Sequence, residues 1–259
     1  MVIGSLFFCR RVELGCLIAL AFILPVLRSV ADDQIVKNDG TVISGTIVSS
    51  SDGQVTVKSI TSSGGIAEVP YYISDIKSVN MAVPADVTRV QAPGVAPTAV
   101  IAALEPQVKQ FAGLPAAWVV AAMAQLGGAY AEAGQMDKAI ATYNEIDTFY
   151  PGSKYHAQAV AGKAELSLKA GKIDEALAAV QPIIDQANQD IAPSPTDGAL
   201  YANAFLVYGQ ALEAQKKPQQ ALEAYLTVKT MFYQNPALVD QADQFAKNLR
   251  DHNPGLGIE

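Results

Sequence analysis

Few residues of this sequence have the types and spacing that nucleophilic catalysis or metal binding requires. Its two cysteines, Cys9 and Cys16, both precede residue 31, and its two histidines, His156 and His252, are far apart in the chain. Catalytic triads and zinc sites need such groups at spacings that bring them together. We interpret both histidines as solvated structural residues near helix ends.

The acidic pairs Asp32-Asp33 and Asp174-Glu175 fit a new chain terminus and the first turn of a helix better than a general acid and base. The sequence contains no phosphate-binding glycine loop, nucleophile elbow or dinucleotide fingerprint. We therefore expect a protein that is not an enzyme, with no catalytic, cofactor-binding or metal-binding residues and no cofactor. An enzyme or solute-binding protein with an unrecognised site is a remaining alternative.

The first 31 residues have the pattern of a secretory signal peptide. Arg10 and Arg11 precede the apolar run Leu14–Leu27, and Ser29-Val30-Ala31 has the small residues of a cleavage site. The run is shorter than the roughly 20 residues of a membrane-spanning helix. We predict export to the periplasm or beyond, with cleavage after Ala31; an uncleaved membrane anchor is the alternative. Cys16 precedes the end of the run, which argues against a lipid anchor.

The charge of the exported part disfavours polyanionic partners. The first 31 residues contain three of the 18 basic residues and one of the 25 acidic residues, so the remainder has a formal charge of 15 − 24 = −9. A negative field of this size repels phosphate backbones and anionic lipid surfaces. Nucleic acid is therefore not an expected partner.

From Gln34 to Val79, β-branched residues alternate with polar ones, which predicts about five short strands. The turn signals between them are Asn38-Asp39-Gly40, Ser51-Asp52-Gly53 and Ser62-Ser63-Gly64-Gly65. Gly45, between Ile43 and Ile47, predicts a sharp bend or a close backbone approach. The run from Lys37 to Ile47, continued by residues 55–57 and 73–79, resembles the strand pattern of Sm-like and SH3-like small barrels. The resemblance implies a small all-β barrel-like domain over residues 32–80.

Residues 81–97 are rich in Ala, Pro and Val, and their prolines predict a semi-rigid linker without regular structure. The hydrophobic period then changes from 2 to 3.6, which predicts packed helices over residues 98–259. We expect the first helical segment to be broken near Pro106 and a later helix to be kinked at Pro182. Trp118 is expected to pack in the core, with exposure as a partner contact as the alternative.

Three stretches of the helical region repeat one pattern of small and large residues. The first has Gly127, Gly134, Ala139, Tyr143 and Pro151; the second has Ala164, Gly171, Ala176 and Val180; the third has Gly209, Leu212, Ala221, Tyr225 and a displaced Pro236. Equivalent alanines are 176 − 139 = 37 and 221 − 176 = 45 residues apart. From Pro115 to Asn253 this pattern resembles the tetratricopeptide repeat (TPR) family, with lengthened inter-repeat turns. The resemblance implies a multidomain α and β protein, in which the β domain precedes an all-α superhelix of about three repeats with flanking helices.

The junction from Phe149 to Tyr155, followed by Ala157 and Ala159, resembles that of bacterial cell-envelope TPR proteins of the outer-membrane assembly and Tol-Pal accessory type. This likeness agrees with the predicted export. Those relatives lack a strand-rich N-terminal region, and the lipid-anchored ones need a cysteine that is absent here.

In the TPR family, partners bind in an inner groove lined by the first helix of each repeat. Carried over residue by residue, the resemblance assigns to this groove Ala121, Ala124, Gly128 and Ala131 in the first unit, Gln158, Ala161 and Glu165 in the second, and Asn203, Leu206, Gln210 and Glu213 in the third. The predicted partner-binding residues are the polar Gln158, Glu165, Asn203, Gln210 and Glu213. The alternative is that these residues only pack or face water.

The expected function is that of a non-catalytic scaffold of the cell envelope, which binds one or more partner proteins in the groove. The β domain would supply a second contact or a homo-oligomer interface. Membrane association is expected only if the signal is uncleaved. An Sm-like nucleic-acid-binding protein, with the TPR region for oligomerisation or a partner, is the alternative from another class; the charge and the signal argue against it.

Overall fold

The computed structural model describes residues 32–61, 63–92 and 94–257, so the predicted signal segment lies outside the described residues. Within this part of the chain a five-stranded antiparallel sheet is followed by nine helices, which confirms the predicted order of a sheet region and a helical region. The strands are β1 Asp33–Lys37, β2 Val42–Ser51, β3 Gln54–Ile60, β4 Ile66–Tyr72 and β5 Ile76–Asn80. The helices are α1 Ala85–Arg89, α2 Pro97–Phe111, α3 Ala117–Glu132, α4 Met136–Phe149, α5 Lys154–Lys169, α6 Ile173–Gln189, α7 Pro195–Ala214, α8 Pro218–Met231 and α9 Pro236–His252.

The strands pair in the order β4-β3-β2-β1-β5, so β1 joins the β2–β4 meander to the last strand. The turn between β2 and β3 consists of Asp52 and Gly53, whose φ angles are 51° and 73°. A two-residue turn with both φ angles positive matches the twist of antiparallel strands, and Ser51 accordingly pairs with Gln54. The predicted turn chemistry therefore sets the strand register.

Gly45 lies where β2 approaches β3 closely. A Cβ atom at this position would be 2.5 Å from the carbonyl oxygen of Lys58, so only glycine fits. A register shift between Ile47 and Ser49 marks a bulge in the same strand, and bulges bend and twist a sheet. The close backbone approach predicted at Gly45 is therefore present.

The expectation that residues 81–97 lack regular structure is wrong over Ala85–Arg89, which form α1. Pro84 precedes this helix, and an ion pair of 3.1 Å joins Asp86 in its first turn to Arg89 in its last. Val87 and Val90 are buried in the core cluster that also contains residues of α2. Burial of apolar side chains, which composition alone does not reveal, orders this segment.

The predicted break near Pro106 is also wrong, because α2 continues through this residue from Pro97 to Phe111. Pro97 occupies a first-turn position, where its missing N–H is not needed for an intrahelical hydrogen bond. Pro106 itself is exposed, whereas Leu104 and Val108 on the opposite face are buried. Tertiary packing of that apolar face outweighs the cost of an interior proline. The helix α6 also contains an interior proline, Pro182, and the kink expected there stays a prediction.

Helices α3 and α4, α5 and α6, and α7 and α8 form three pairs, each joined by a three-residue turn. In every turn the successive N–H groups donate to carbonyl oxygens four, three and five residues earlier in the chain. The middle residue always has a positive φ: 74° at Gly134, 77° at Gly171 and 60° at Lys216. Glycine adopts this left-handed conformation without steric cost, so the third turn retains the same geometry at a cost in strain.

A glycine lies against a tyrosine where α3 crosses α4. A Cβ atom on Gly127 would be 2.5 Å from the Tyr143 ring, and one on Gly162 of α5 would be 2.5 Å from the same ring. Tyr143 is thus packed between two helices that must both carry glycine. The equivalent pairs are Gly209 with Tyr225 in the third helix pair, and Ala164 with Val180 in the second. Where the first helix has glycine the second has tyrosine, and where the first has alanine the second has the smaller valine, so the combined side-chain volume is similar in all three helix pairs.

The first helices of the pairs form one layer of the array. Helix α3 contacts α5, α5 contacts α7 and α7 contacts α9, whereas α4, α6 and α8 make fewer contacts with one another. A two-layer array curves toward the layer whose helices are closer together. We call the surface of α3, α5, α7 and α9 that points away from α4, α6 and α8 the inner surface.

The sheet and the first helices share one hydrophobic core. The Ser50 side chain, in a residue 3% exposed, donates a hydrogen bond of 2.9 Å to the carbonyl oxygen of Ala112 at the end of α2. The Gln110 amide donates one of 2.7 Å to the carbonyl oxygen of Val48. The chain from Asp32 onward forms one compact unit, in which the sheet packs against the start of the helical array.

Candidate partner-binding surface

The predicted groove residues differ in how far their side chains are available. Gln158, Asn203 and Glu213 are exposed, and Glu165 and Gln210 are partly buried. Three other predicted groove residues are buried: Ala124 is 3% exposed, Ala161 6% and Leu206 4%. Ala124, Ala161 and Leu206 occupy the same position in the three repeats, and this position packs the helices together. The inner surface is formed by the other predicted groove positions.

The segment that connects β5 to α2, described over residues 81–92 and 94–96, covers the N-terminal part of the inner surface. The Gln125 side-chain amide of α3 donates a hydrogen bond of 2.7 Å to the Val90 carbonyl oxygen. A cavity of about 300 Å³ is surrounded by residues of this segment, of α2 and of α3, together with Gln158 of α5. Ala124 and Gly128 line this cavity together with Val95, so the chain itself occupies the space over α3. Sequence reasoning missed this contact, although Val87, Val90 and Val95 gave the segment an apolar pattern that free linkers lack.

A second cavity, of about 510 Å³, lies between α7 and α9. Its lining consists of Gln210, Glu213, Ala214, Phe245 and Asn248. The structure thus brings two of the five predicted partner-binding residues together. We call the five residues that line this cavity, two of them predicted and three not, the α7–α9 crease. Sequence reasoning missed Phe245 and Asn248, because the TPR resemblance assigned groove residues only to the first helices of the three units, although an aromatic residue on a polar-faced helix is a signal for a contact.

Glu213 is held in place by a residue of the outer layer. The Tyr225 hydroxyl donates a hydrogen bond of 3.0 Å to Glu213 Oε2. Burial and this carboxylate together raise the pKa of Tyr225 well above its usual range, so the phenol remains a donor. The Tyr225 ring also packs against the Phe245 ring at a centroid distance of 5.4 Å. The carboxylate and the aromatic ring of the α7–α9 crease are therefore positioned by the same tyrosine.

The other predicted polar residues are less well organised. The Glu165 carboxylate pairs with Lys169 at 2.6 Å within α5, and both side chains are about half exposed. Such a pair contributes about 0.3–0.5 kcal/mol and is easily exchanged for another partner. Asn203 is exposed on α7 and Gln158 lies at the covered end, so the five predicted residues do not form one cluster.

The histidines and the tryptophan have structural contacts. His156 Nδ1 lies 3.0 Å from Asp147 Oδ1, though not in hydrogen-bond alignment, and Lys163 pairs with the same carboxylate. These contacts with Asp147 join α4 to α5. His252 Nδ1 lies 2.7 Å from the Asn248 carbonyl oxygen at the end of α9. Trp118 is only 7% exposed, as expected for a core residue.

Residues 32–61, 63–92 and 94–257 contain no group of three or more His, Cys, Asp or Glu residues arranged to hold a metal ion. In the same ranges no helix has both the length and the apolar character needed to cross a bilayer. Comparison of the sequence with family models and with curated proteins finds no match. The site must therefore be interpreted from its own geometry.

Proposed function

We propose that this protein is an exported, non-catalytic interaction scaffold of the cell envelope, which binds a segment of a partner protein on the inner surface between α5 and α9. The observation that carries the proposal is the open α7–α9 crease, where Gln210 and Glu213 meet Phe245 and Asn248. Fixed polar groups beside an aromatic ring are typical of surfaces that hold a peptide.

We further propose that the helical array is of the tetratricopeptide type and that the sheet curls into a small barrel. The repeated turn geometry and the matched small and large residues at equivalent positions support the first proposal. Gly45 and the bulge in β2 support the second, because both devices curve a sheet. In this arrangement the sheet covers one end of the array and leaves the α7–α9 crease accessible.

Site-specific crosslinking in intact cells tests the binding surface. A photoreactive amino acid replaces Asn203 or Gln210 on the inner surface, and Glu223, exposed on α8 of the outer layer, serves as the matched control. We expect one defined protein adduct from positions 203 and 210 and none from position 223. Adducts that are equally strong from position 223, or absent from both inner positions, contradict the proposal.

Substitution then tests whether the named side chains take part. Changing Glu165, Gln210 and Glu213 to alanine should weaken the crosslink formed from Asn203 and leave the circular dichroism spectrum unchanged. An unaltered set of crosslinked proteins would mean that another surface binds the partner.

Export is tested separately. The protein recovered from the cell envelope fraction should begin at Asp32, which N-terminal sequencing determines directly. A mature chain that still begins at Met1, or a purely cytoplasmic location, contradicts export with cleavage after Ala31.

A further inference from the structure

The α7–α9 crease contains the groups that stabilise a positive charge. Glu213 offers a carboxylate, and Gln210 and Asn248 offer amide oxygens from opposite sides of the cavity. Phe245 adds an aromatic ring, whose face attracts a guanidinium or ammonium group lying over it. Ala214 completes the lining with a small side chain that leaves room for a guest.

The carboxylate is oriented but not neutralised. Tyr225 donates to Glu213 Oε2, and because the phenol is itself neutral, this charge-assisted hydrogen bond orients the carboxylate without removing its charge. Among the described residues, no ion pair involves Glu213. Lys247 and Arg250 are exposed on α9, but neither lines the cavity. The site therefore has an unpaired negative charge, with hydrogen-bond acceptors and a ring around it.

The dimensions of the crease suit a side chain with its adjoining backbone. A cavity of about 510 Å³ is within the usual range of about 300–1,000 Å³ for ligand sites. It is larger than one side chain needs, so the Gln210 and Asn248 amides can also bond peptide N–H and C=O groups. A free metal ion would instead need several oxygen ligands close together.

From these observations we propose that the α7–α9 crease recognises a basic residue, arginine or lysine, in an extended segment of the partner protein. This inference rests on the proposed scaffold function and specifies the chemistry of its partner. The cation pairs with Glu213, lies against Phe245 and is oriented by the Gln210 and Asn248 oxygens. The acidic character of the exported chain agrees with a basic guest.

Two tripeptides that differ in one charge test the inference on the protein purified after export. The probes are acetyl-Ala-Arg-Ala-amide and acetyl-Ala-citrulline-Ala-amide, since citrulline has the shape of arginine without its charge. Titrations followed by NMR of the side-chain amide groups report both the affinity and the site. We expect the arginine peptide to bind about tenfold more tightly and to shift the Gln210 and Asn248 signals.

Two variants locate the charge. Glu213→Gln keeps an oxygen acceptor for the Tyr225 hydroxyl and removes the negative charge, so it should abolish the preference for arginine over citrulline. Glu223→Gln makes the same change on α8 and should leave that preference within about twofold. Ala214→Phe, a change at an exposed position, should fill the cavity and weaken both peptides.

The outcomes separate this inference from the proposed function. Equal affinity for the two peptides, or a preference that persists in Glu213→Gln, overturns the basic-residue inference. Absence of binding up to millimolar concentrations also overturns it, whereas adducts formed in cells from Asn203 and Gln210 would still support a partner-binding surface. The scaffold function is overturned instead by the crosslinking outcomes given above, namely no adduct from either inner position or equally strong adducts from position 223.

Discussion

The two adjacent glycines of α3 provide a sharp test of the helix packing. A Cβ atom on Gly127 would lie 2.5 Å from Tyr143 Cε1 and 2.9 Å from Cδ1 and Cζ, whereas one on Gly128 would have no atom within 4 Å. Ordinary carbon contacts are about 3.5–4.0 Å, so the ring would need to move by about 1 Å. Gly162 blocks that movement, because the ring already lies against its backbone.

We therefore expect opposite effects from the same substitution at neighbouring positions. Gly127→Ala should destabilise the protein by about 1–2 kcal/mol, since overpacking costs about 1–3 kcal/mol and helix propensity returns up to about 1 kcal/mol. Gly128→Ala should stabilise it by about 0.5–1 kcal/mol, because only the propensity changes. Urea unfolding followed by circular dichroism measures both free energies, and an unchanged m-value confirms that the compared states are alike.

A second substitution shows whether the tyrosine ring is the cause. Tyr143→Val reproduces the arrangement of the second helix pair, in which Ala164 and Val180 occupy these positions. In that background Gly127→Ala should become neutral or stabilising, and the coupling free energy should exceed about 1 kcal/mol. The packing argument fails if Gly127→Ala stabilises the unmodified protein as much as Gly128→Ala does.

Three other changes have defined outcomes. Lys216→Gly should raise the free energy of unfolding in urea by about 1 kcal/mol, because glycine removes the steric strain of the left-handed backbone at this position. Lys217→Gly, where φ is already negative, should not stabilise the protein. Ser50→Ala should cost about 1 kcal/mol in the same assay, since the part-buried Ala112 carbonyl oxygen loses its donor; no change in midpoint would refute this. Burial, with Glu165 and Glu132, raises the pKa of Tyr143 from 10.0 to about 12. The contribution of Tyr143 to stability should therefore hold below pH 10 and be lost, by about 2–3 kcal/mol, as the pH rises through 12, so Tyr143→Phe should lose less stability over this range than the unmodified protein. Equal losses in the two proteins would contradict this.

The order of elements could be predicted because local rules decide it. Asp52 and Gly53 are typical of a tight hairpin, and the glycines at positions 134 and 171 end helices in the way that their backbone angles allow. The change of hydrophobic period placed the boundary between sheet and helices before α2. These features depend on residues close together in sequence, which a single sequence displays directly.

The errors all involve contacts between distant parts of the chain. Pro106 was expected to break a helix, yet packing of the opposite face retains it. The segment around Val90 was interpreted as a linker, although its order comes from α2 and α3. Phe245 is absent from the predicted groove residues, because its contact with Tyr225 depends on how α9 crosses α8. The sequence therefore predicted only the α7 residues Gln210 and Glu213 of the candidate site, and not the residues that α9 contributes.

The segment that crosses α3 would also limit the length of a partner peptide bound on the proposed surface. With that helix partly covered, the open side chains of the inner surface lie, among the described residues, mainly on α5, α7 and α9. Neighbouring helix axes are about 8–10 Å apart, so three helices span roughly 20 Å, the length of about six extended residues. The proposed scaffold would therefore recognise a short motif, and the partner sequence on either side of that motif would stay free to engage other proteins.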